Sequence, residues 1–275
     1  MANTKITKAI ITCGGYATRF LPITKAIPKE MLPIGNKPII HYIVEELKDA
    51  GITDILILIG RGREVVQNYF DRHPELETVI HEKGMNININ PFADLNITYK
   101  RVPMPRGAAD NIWHAKTFAG NEPFVVAYSD TVFFEHNPTI ELITDFEQHK
   151  KSTIIASPIP TGNTHKYGII DTGIKGACAT GTCFIKRAFQ IKQIIEKPQS
   201  NPPSNLASCG RFVLTPEIFA MIENAQTESG EVCMTEQLNK VAGHGNLRGV
   251  RTRARCFDTG NPQGWFEVNE YLTKK

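Results

Sequence analysis

The chain has 275 residues, 41% hydrophobic and 21% charged, with 31 Lys+Arg against 28 Asp+Glu for a formal net charge of +3. That is the make-up of an ordinary globular protein with one large α/β domain or two small ones, and so balanced a charge gives no reason to expect a nucleic-acid or membrane partner. No apolar stretch approaches the ~18 residues of a spanning helix, and the start, MANTKITKAII, lacks the apolar core and cleavage site of a signal peptide.

Lys8–Thr12 is a short β-rich run, followed by "GGYATRFLPITKAIPKEMLPIGNKP" from Gly14 to Pro38. That stretch holds three glycines, one arginine, three lysines and four prolines, and little in it continues a helix. Loops of this length without structure of their own are usually functional. Ile39–Ala50 has apolar residues at helical spacing and stops at Gly51. Asp54–Ile59, "DILILI", is too apolar for an edge strand. Val65–Asp71 predicts a helix, the Asn-rich segment Gly84–Asn96 a mobile loop, Ile97–Arg101 a strand and Ala108–Phe118 a helix. Pro123–Tyr128 is another buried strand and Pro138–Lys150 another helix. This alternation predicts an α/β fold with a Rossmann-like, doubly wound, mostly parallel sheet. Such sheets bind ligands beyond the carboxyl ends of their strands.

The second half is richer in strands. Ser152–Pro160, Tyr167–Asp171, Cys183–Arg187, Ile191–Glu196 and Ser208–Leu214 are strand-like, with Gly/Thr/Pro/Asn turns between them. Helices are expected at Pro216–Asn224, Met234–Ala242 and Gln263–Leu272. With no linker clear enough to cut the chain, a single domain over 1–275 is expected. It would have an α/β part at about 1–150, a β-rich part at 151–215 and a C-terminal helical part at 216–275. The six cysteines (Cys13, Cys178, Cys183, Cys209, Cys233 and Cys256) are scattered without a CxxC. They read as reduced thiols, which predicts a cytosolic protein. His41, His114 and His165 form no Cys/His metal pattern and read as ordinary polar residues.

A glycine loop after a first strand brings backbone N–H groups close to phosphate oxygens, and nearby cations neutralise the charge. Gly14 and Gly15 supply such a loop here, with Arg19, Lys25 and Lys29 as the cations. The glycine pattern is neither GxGxxG nor GxxxxGKS, so by glycine count alone an ordinary surface loop fits equally well.

The full string is more specific. With its "TKAIPKEMLP" (Thr24–Pro33), it resembles the opening of the bacterial UTP–glucose-1-phosphate uridylyltransferases, within the sugar nucleotidyltransferase family. The resemblance continues through "KPIIHYIVEELKDAGI" (Lys37–Ile52), "GRG" (Gly60–Gly62), "YG" (Tyr167–Gly168), "EKP" (Glu196–Pro198), "SNLASCGRFVLTPEIF" (Ser204–Phe219) and "FDTGNPQGW" (Phe257–Trp265). These stretches follow in order over nearly the whole chain. The resemblance implies Mg²⁺-dependent attack of a sugar-1-phosphate oxygen on the α-phosphorus of a nucleoside triphosphate, with pyrophosphate leaving. By that likeness Arg19 and Lys29 hold the triphosphate, and Lys197 pairs with the sugar phosphate. Asp130 and Asp258 hold the metal. Glu196 accepts bonds from sugar hydroxyls, and Gly168 leaves room for the sugar ring. Gly14, Gly15, Glu30, Val102 and Gly107 line the nucleotide pocket. It also implies a homodimer or homotetramer.

Taken alone, Asp130 reads equally as a cap, Asp258 as an Asx turn and "EKP" as a surface turn. The sequence departs from its relatives at three places. Ala17 replaces the second glycine of GxGTR, at a position that must then take an ordinary φ. The relatives' "RQ…GLGHA" reads "RVPMPRGAADN" (Arg101–Asn111), so Val102 replaces the glutamine that reads the base and Ala109 replaces a glycine. The relatives' "DD" is Asp130-Thr131. UDP-glucose synthesis leads the readings. Another triphosphate (dTTP or CTP), another sugar 1-phosphate, a regulatory paralogue and a glycosyltransferase remain as alternatives.

Overall fold

The structure is a computed structural model and describes residues 5–103, 106–174, 187–225 and 230–274. In chain order the strands are β1 (Lys8–Cys13), β2 (Pro33–Ile34), β3 (Lys37–Pro38), β4 (Asp54–Ile59), β5 (Asn96–Arg101), β6 (Phe124–Tyr128) and β7 (Thr131–Phe134). They continue with β8 (Ser152–Pro158), β9 (Gly168–Asp171), β10 (Ala188–Gln190), β11 (Gln193–Glu196), β12 (Leu206–Leu214), β13 (Leu247–Arg251) and β14 (Arg255–Asp258). The helices are α1 (Ile39–Asp49), α2 (Glu64–Phe70), α3 (Pro74–Glu82), α4 (Ala108–Trp113), α5 (Lys116–Ala119), α6 (Pro138–His149), α7 (Glu217–Glu223), α8 (Met234–Gly243) and α9 (Pro262–Thr273).

Period-two alternation along apolar strands splits the core into two layers. Ala9, Ile11 and Cys13 of β1 join Ile55, Ile57 and Ile59 of β4 on one face of the sheet, under α1. Ile10, Leu56 and Leu58 join Phe124 and Val126 of β6 on the other face, under α4, α7 and α8. The sheet runs β10-β13-β8-β12-β6-β1-β4-β5, with β9 and β11 branching from β12. β1 is parallel to both β4 and β6, and β5 is parallel to β4. β12 runs antiparallel between β6 and β8, and β13 is parallel to β8. The sheet is therefore mostly parallel, as expected. Asn137 and Asn261, each followed by proline, cap α6 and α9 by accepting from the N–H of Ile140 and of Gly264.

Several expectations need correction. The helix expected over Ala108–Phe118 breaks into α4 and α5. Lys100 Nζ donates to the His114 carbonyl, while His114 and Ala115 make tighter bonds to residues three back. The Asn-rich segment is anchored: Phe92 is buried in the core, and Lys48 Nζ donates to the Pro91 carbonyl. The part expected to be helical, 216–275, also supplies β13 and β14, and β13 joins the main sheet. β7 and α3 were not expected, and of the strand expected at Cys183–Arg187 all but its last residue lies outside the described residues. No helix among the described residues is long and apolar enough to cross a membrane.

Candidate active site

The long opening loop folds into three single turns, Thr18–Phe20, Ile23–Lys25 and Lys29–Met31, punctuated by Pro22 and Pro28. Ala17 lies in the left-handed region at φ 53°, contrary to the ordinary φ expected of it. Its carbonyl accepts from Thr24 Oγ1 at 3.0 Å, which ties the first turn to the second.

The third turn carries Lys29 and Glu30. Lys29 Nζ lies 2.6 Å from Asp130 Oδ2. Burial works to lower the Lys29 pKa, but the charges of Asp130 and Glu30 outweigh it and hold the ammonium above its ordinary value. Burial likewise opposes ionisation of Asp130, and the Lys29 charge brings that carboxyl below its usual range. Glu30 does not line the nucleotide pocket as expected. Its side chain is fully buried, Oε2 lies 3.2 Å from Arg63 Nη1, and Oε1 accepts from Ser129 Oγ. Burial pushes this carboxyl up, against the pull of Arg63 and Lys29. Arg63 also donates to the Cys13 carbonyl at 3.0 Å and to the Gly15 carbonyl. Glu30 therefore anchors the glycine loop from beneath.

Asp130 follows β6, whose parallel neighbour β1 leads into the glycine loop. The turn that carries Asp130 is gripped by Arg211, a fully buried residue of β12. Arg211 donates to the carbonyls of Tyr128 and Thr131, on either side of Asp130, at 3.2 and 2.9 Å. It also pairs through two nitrogens with Glu46 of α1 at 2.9 and 3.1 Å. Gly210 has φ +55°, and a Cβ there would come within 3.0 Å of Tyr128 Cβ, so the bulge in β12 depends on glycine. Sequence reasoning missed Arg63 and Arg211, because neither contact is local.

Asp258 ends β14 beside Asp130. A Cβ at Gly260 would lie 2.9 Å from Asp130 Oδ2 and 3.0 Å from Asp258 Oδ1, so both carboxylates border one small space. Burial and then the negative charge of Asp130 raise the Asp258 pKa. Asp258 accepts from the Gly260 N–H, from Asn261 and from Tyr167. Among the described residues no three His, Cys, Asp or Glu side chains gather as a metal site.

Two cavities meet at Asp130. The smaller, about 330 Å³, is lined by Gly14, Gly15, Tyr16, Gly107 and Asn111 as well as Lys29. Gly107 has φ +101°, and a Cβ there would lie 2.6 Å from the Val232 carbonyl, so no larger residue fits. Val102 does not reach this cavity: it is 2% exposed and packed in the core with Leu58 and Ala109. The larger cleft, about 1320 Å³, takes in Arg19, Gly168, Glu196, Lys197 and Asp258. A Cβ at Gly168 would press within 3.1 Å of Glu196 Oε2. Thr235 Oγ1 donates to that oxygen at 2.7 Å, and Lys197 Nζ lies 3.6 Å from Oε1. Arg19 is exposed at the cleft, where its charge favours ionisation of both aspartates.

The chain is similar to a UTP–glucose-1-phosphate uridylyltransferase of Staphylococcus epidermidis, 38% identical over 278 residues, which cover 98% of this chain and 93% of that one. A Bacillus subtilis protein of the same name is also 38% identical, over 95% of this chain and 89% of its own length. Among solved structures, a UDP-glucose pyrophosphorylase complexed with UDP-glucose superposes with a TM-score of 0.85 at 30% identity, covering 98% of this chain and all of that one. A UTP-bound enzyme from Acinetobacter baumannii gives a TM-score of 0.86 at 27% identity, over 97% and 93% of the two chains. The nucleotidyl transferase family model matches residues 8–275, from the first strand through the last helix. The chain belongs to the nucleotidyl transferase family.

Proposed function

We propose that this chain condenses UTP with glucose 1-phosphate to UDP-glucose and pyrophosphate, within one domain. One observation carries the reading: a glycine-loop cavity and a wider cleft open onto the same aspartate, Asp130, with cations on both sides of the junction. The names of the relatives supply the two substrates.

In this reading the triphosphate lies along Gly14 and Gly15, and the sugar phosphate lies in the cleft by Gly168, Glu196 and Lys197. An oxygen of the sugar phosphate forms a bond to the α-phosphorus. The bond from that phosphorus to its bridging oxygen breaks, and pyrophosphate leaves with the electron pair. Lys197 holds the attacking phosphate, Glu196 accepts from sugar hydroxyls, and the missing side chain of Gly168 admits the ring. Lys29, held protonated, and Arg19 face the charge that builds on the leaving group, where fixed cations act most strongly.

Asp130 and Asp258 fit a divalent cation. Their oxygens converge on the space left by Gly260, where burial and then the charge of Asp130 oppose ionisation of Asp258, a cost that a cation would relieve. Two carboxylates, with substrate phosphates and water completing the shell, are a typical Mg²⁺ donor set. When bound, the ion supplies neutralising charge to the phosphate oxygens.

Pyrophosphate release over a grid of triphosphates and sugar 1-phosphates, with and without EDTA, tests the reading. UTP with glucose 1-phosphate should give the highest kcat/KM, and EDTA should abolish turnover. Release from a different pair, or none from any, refutes the assignment.

A further inference from the structure

One polar group in the smaller cavity has no part in the chemistry above. Asn111, on α4, is 7% exposed and lines the cavity, yet its Oδ1 has no hydrogen-bond partner among the described residues. Burying an amide oxygen without a partner costs free energy that an arriving donor recovers. The amide rests against the glycine loop. A Cβ at Gly14 would lie 3.1 Å from Asn111 Nδ2 and 3.3 Å from Oδ1, so glycine at position 14 leaves the amide its place. The position where relatives carry their base-reading glutamine holds Val102, which is sealed in the core. Position 102 thus offers this cavity no polar group, whereas Asn111 offers it a buried carboxamide.

We infer that Asn111 is the side chain that reads the pyrimidine base in this chain. A uracil edge offers an N–H donor beside a carbonyl acceptor, and a carboxamide matches both, with Oδ1 accepting and Nδ2 donating. The inference rests on the proposed use of UTP, and it adds a residue that decides specificity.

Binding of UTP and of inorganic triphosphate, which lacks the base, tests it by calorimetry in excess Mg²⁺. Asn111→Ala should weaken UTP by about tenfold and leave inorganic triphosphate within about twofold. Turnover at saturating UTP should persist, while the preference for UTP over CTP in kcat/KM falls. Asn111→Leu, which keeps the side chain's bulk but neither accepts nor donates a hydrogen bond, should give the same result. Unchanged UTP binding in both variants, or equal weakening of UTP and triphosphate, overturns the inference. Turnover of UTP with glucose 1-phosphate by the unmodified protein scores the underlying reading separately. An active protein with an indifferent Asn111→Ala variant defeats the base-reading role alone.

Discussion

Ala17 sits in the left-handed region with a side chain that disfavours it. That conformation costs an L-residue about 1–2 kcal/mol, part of which glycine gives back through its greater freedom in the unfolded chain. Ala17→Gly should therefore stabilise the protein by about 1 kcal/mol or less, seen as a higher urea midpoint at unchanged m-value. A lower midpoint would show that the turn gains nothing from glycine. Arg19, two residues on, makes the opposite kind of prediction. Its exposed side chain contributes little to folding, so Arg19→Ala should leave the thermal midpoint in place. It should also lower kcat about a hundredfold, the loss expected when ~3 kcal/mol of transition-state stabilisation is removed. Arg19→Lys should recover little, since a point charge does not reproduce a bidentate fork. Wild-type turnover in the alanine variant would reduce Arg19 to a loop cation.

At the scale of elements, Arg211 joins α1, β12 and the turn that carries Asp130. Arg211→Met strands the buried Glu46 carboxylate and should cost about 3–5 kcal/mol by urea denaturation. Adding Glu46→Leu removes the stranded charge and should restore much of that loss. A double variant no more stable than the single would locate the cost in the backbone carbonyls instead. Helices such as α1 and α6 were legible in the sequence, because apolar spacing and flanking Pro, Gly and Asn mark them locally. β13 and β14 were not, since "LRGVRTRARCFD" carries four arginines where a buried strand should be apolar. Arg248 is accommodated only because Asp145 of α6 meets it at 2.8 and 3.0 Å, a partner that no local pattern reveals.

Over the whole molecule, β12 from the second half lies between β6 from the first and β8, and β13 from the C-terminal part lies against β8. A cut at the end of the first part or of the second separates paired strands of the main sheet, so unfolding should be one cooperative transition, coincident by circular dichroism and tryptophan fluorescence. Two separated transitions would reveal a second unit. The architecture and the meeting of Lys29, Asp130 and Asp258 followed from motifs legible in sequence order. The supports of that site were hidden, because Glu30 looks like a pocket residue until Arg63 is placed beside it. Val102 looks like a pocket residue until its burial is known. Asn111 drew no attention, because nothing in a linear string shows that an amide will be buried without a partner.

The clamp on the glycine loop has an electrical consequence. Arg63 draws the carbonyl oxygens of Cys13 and Gly15 inward. A peptide unit is planar and trans, so its N–H points opposite to its C=O. Each captured carbonyl therefore turns the following N–H, of Gly14 and of Tyr16, away from the arginine, and both residues line the cavity. Arg63 holds the negative tails of two dipoles and leaves their positive heads to an incoming anion. These dipoles are aligned before any ligand arrives, so binding need not spend free energy turning them. A buried cation thus shapes the field inside a cavity that it does not line.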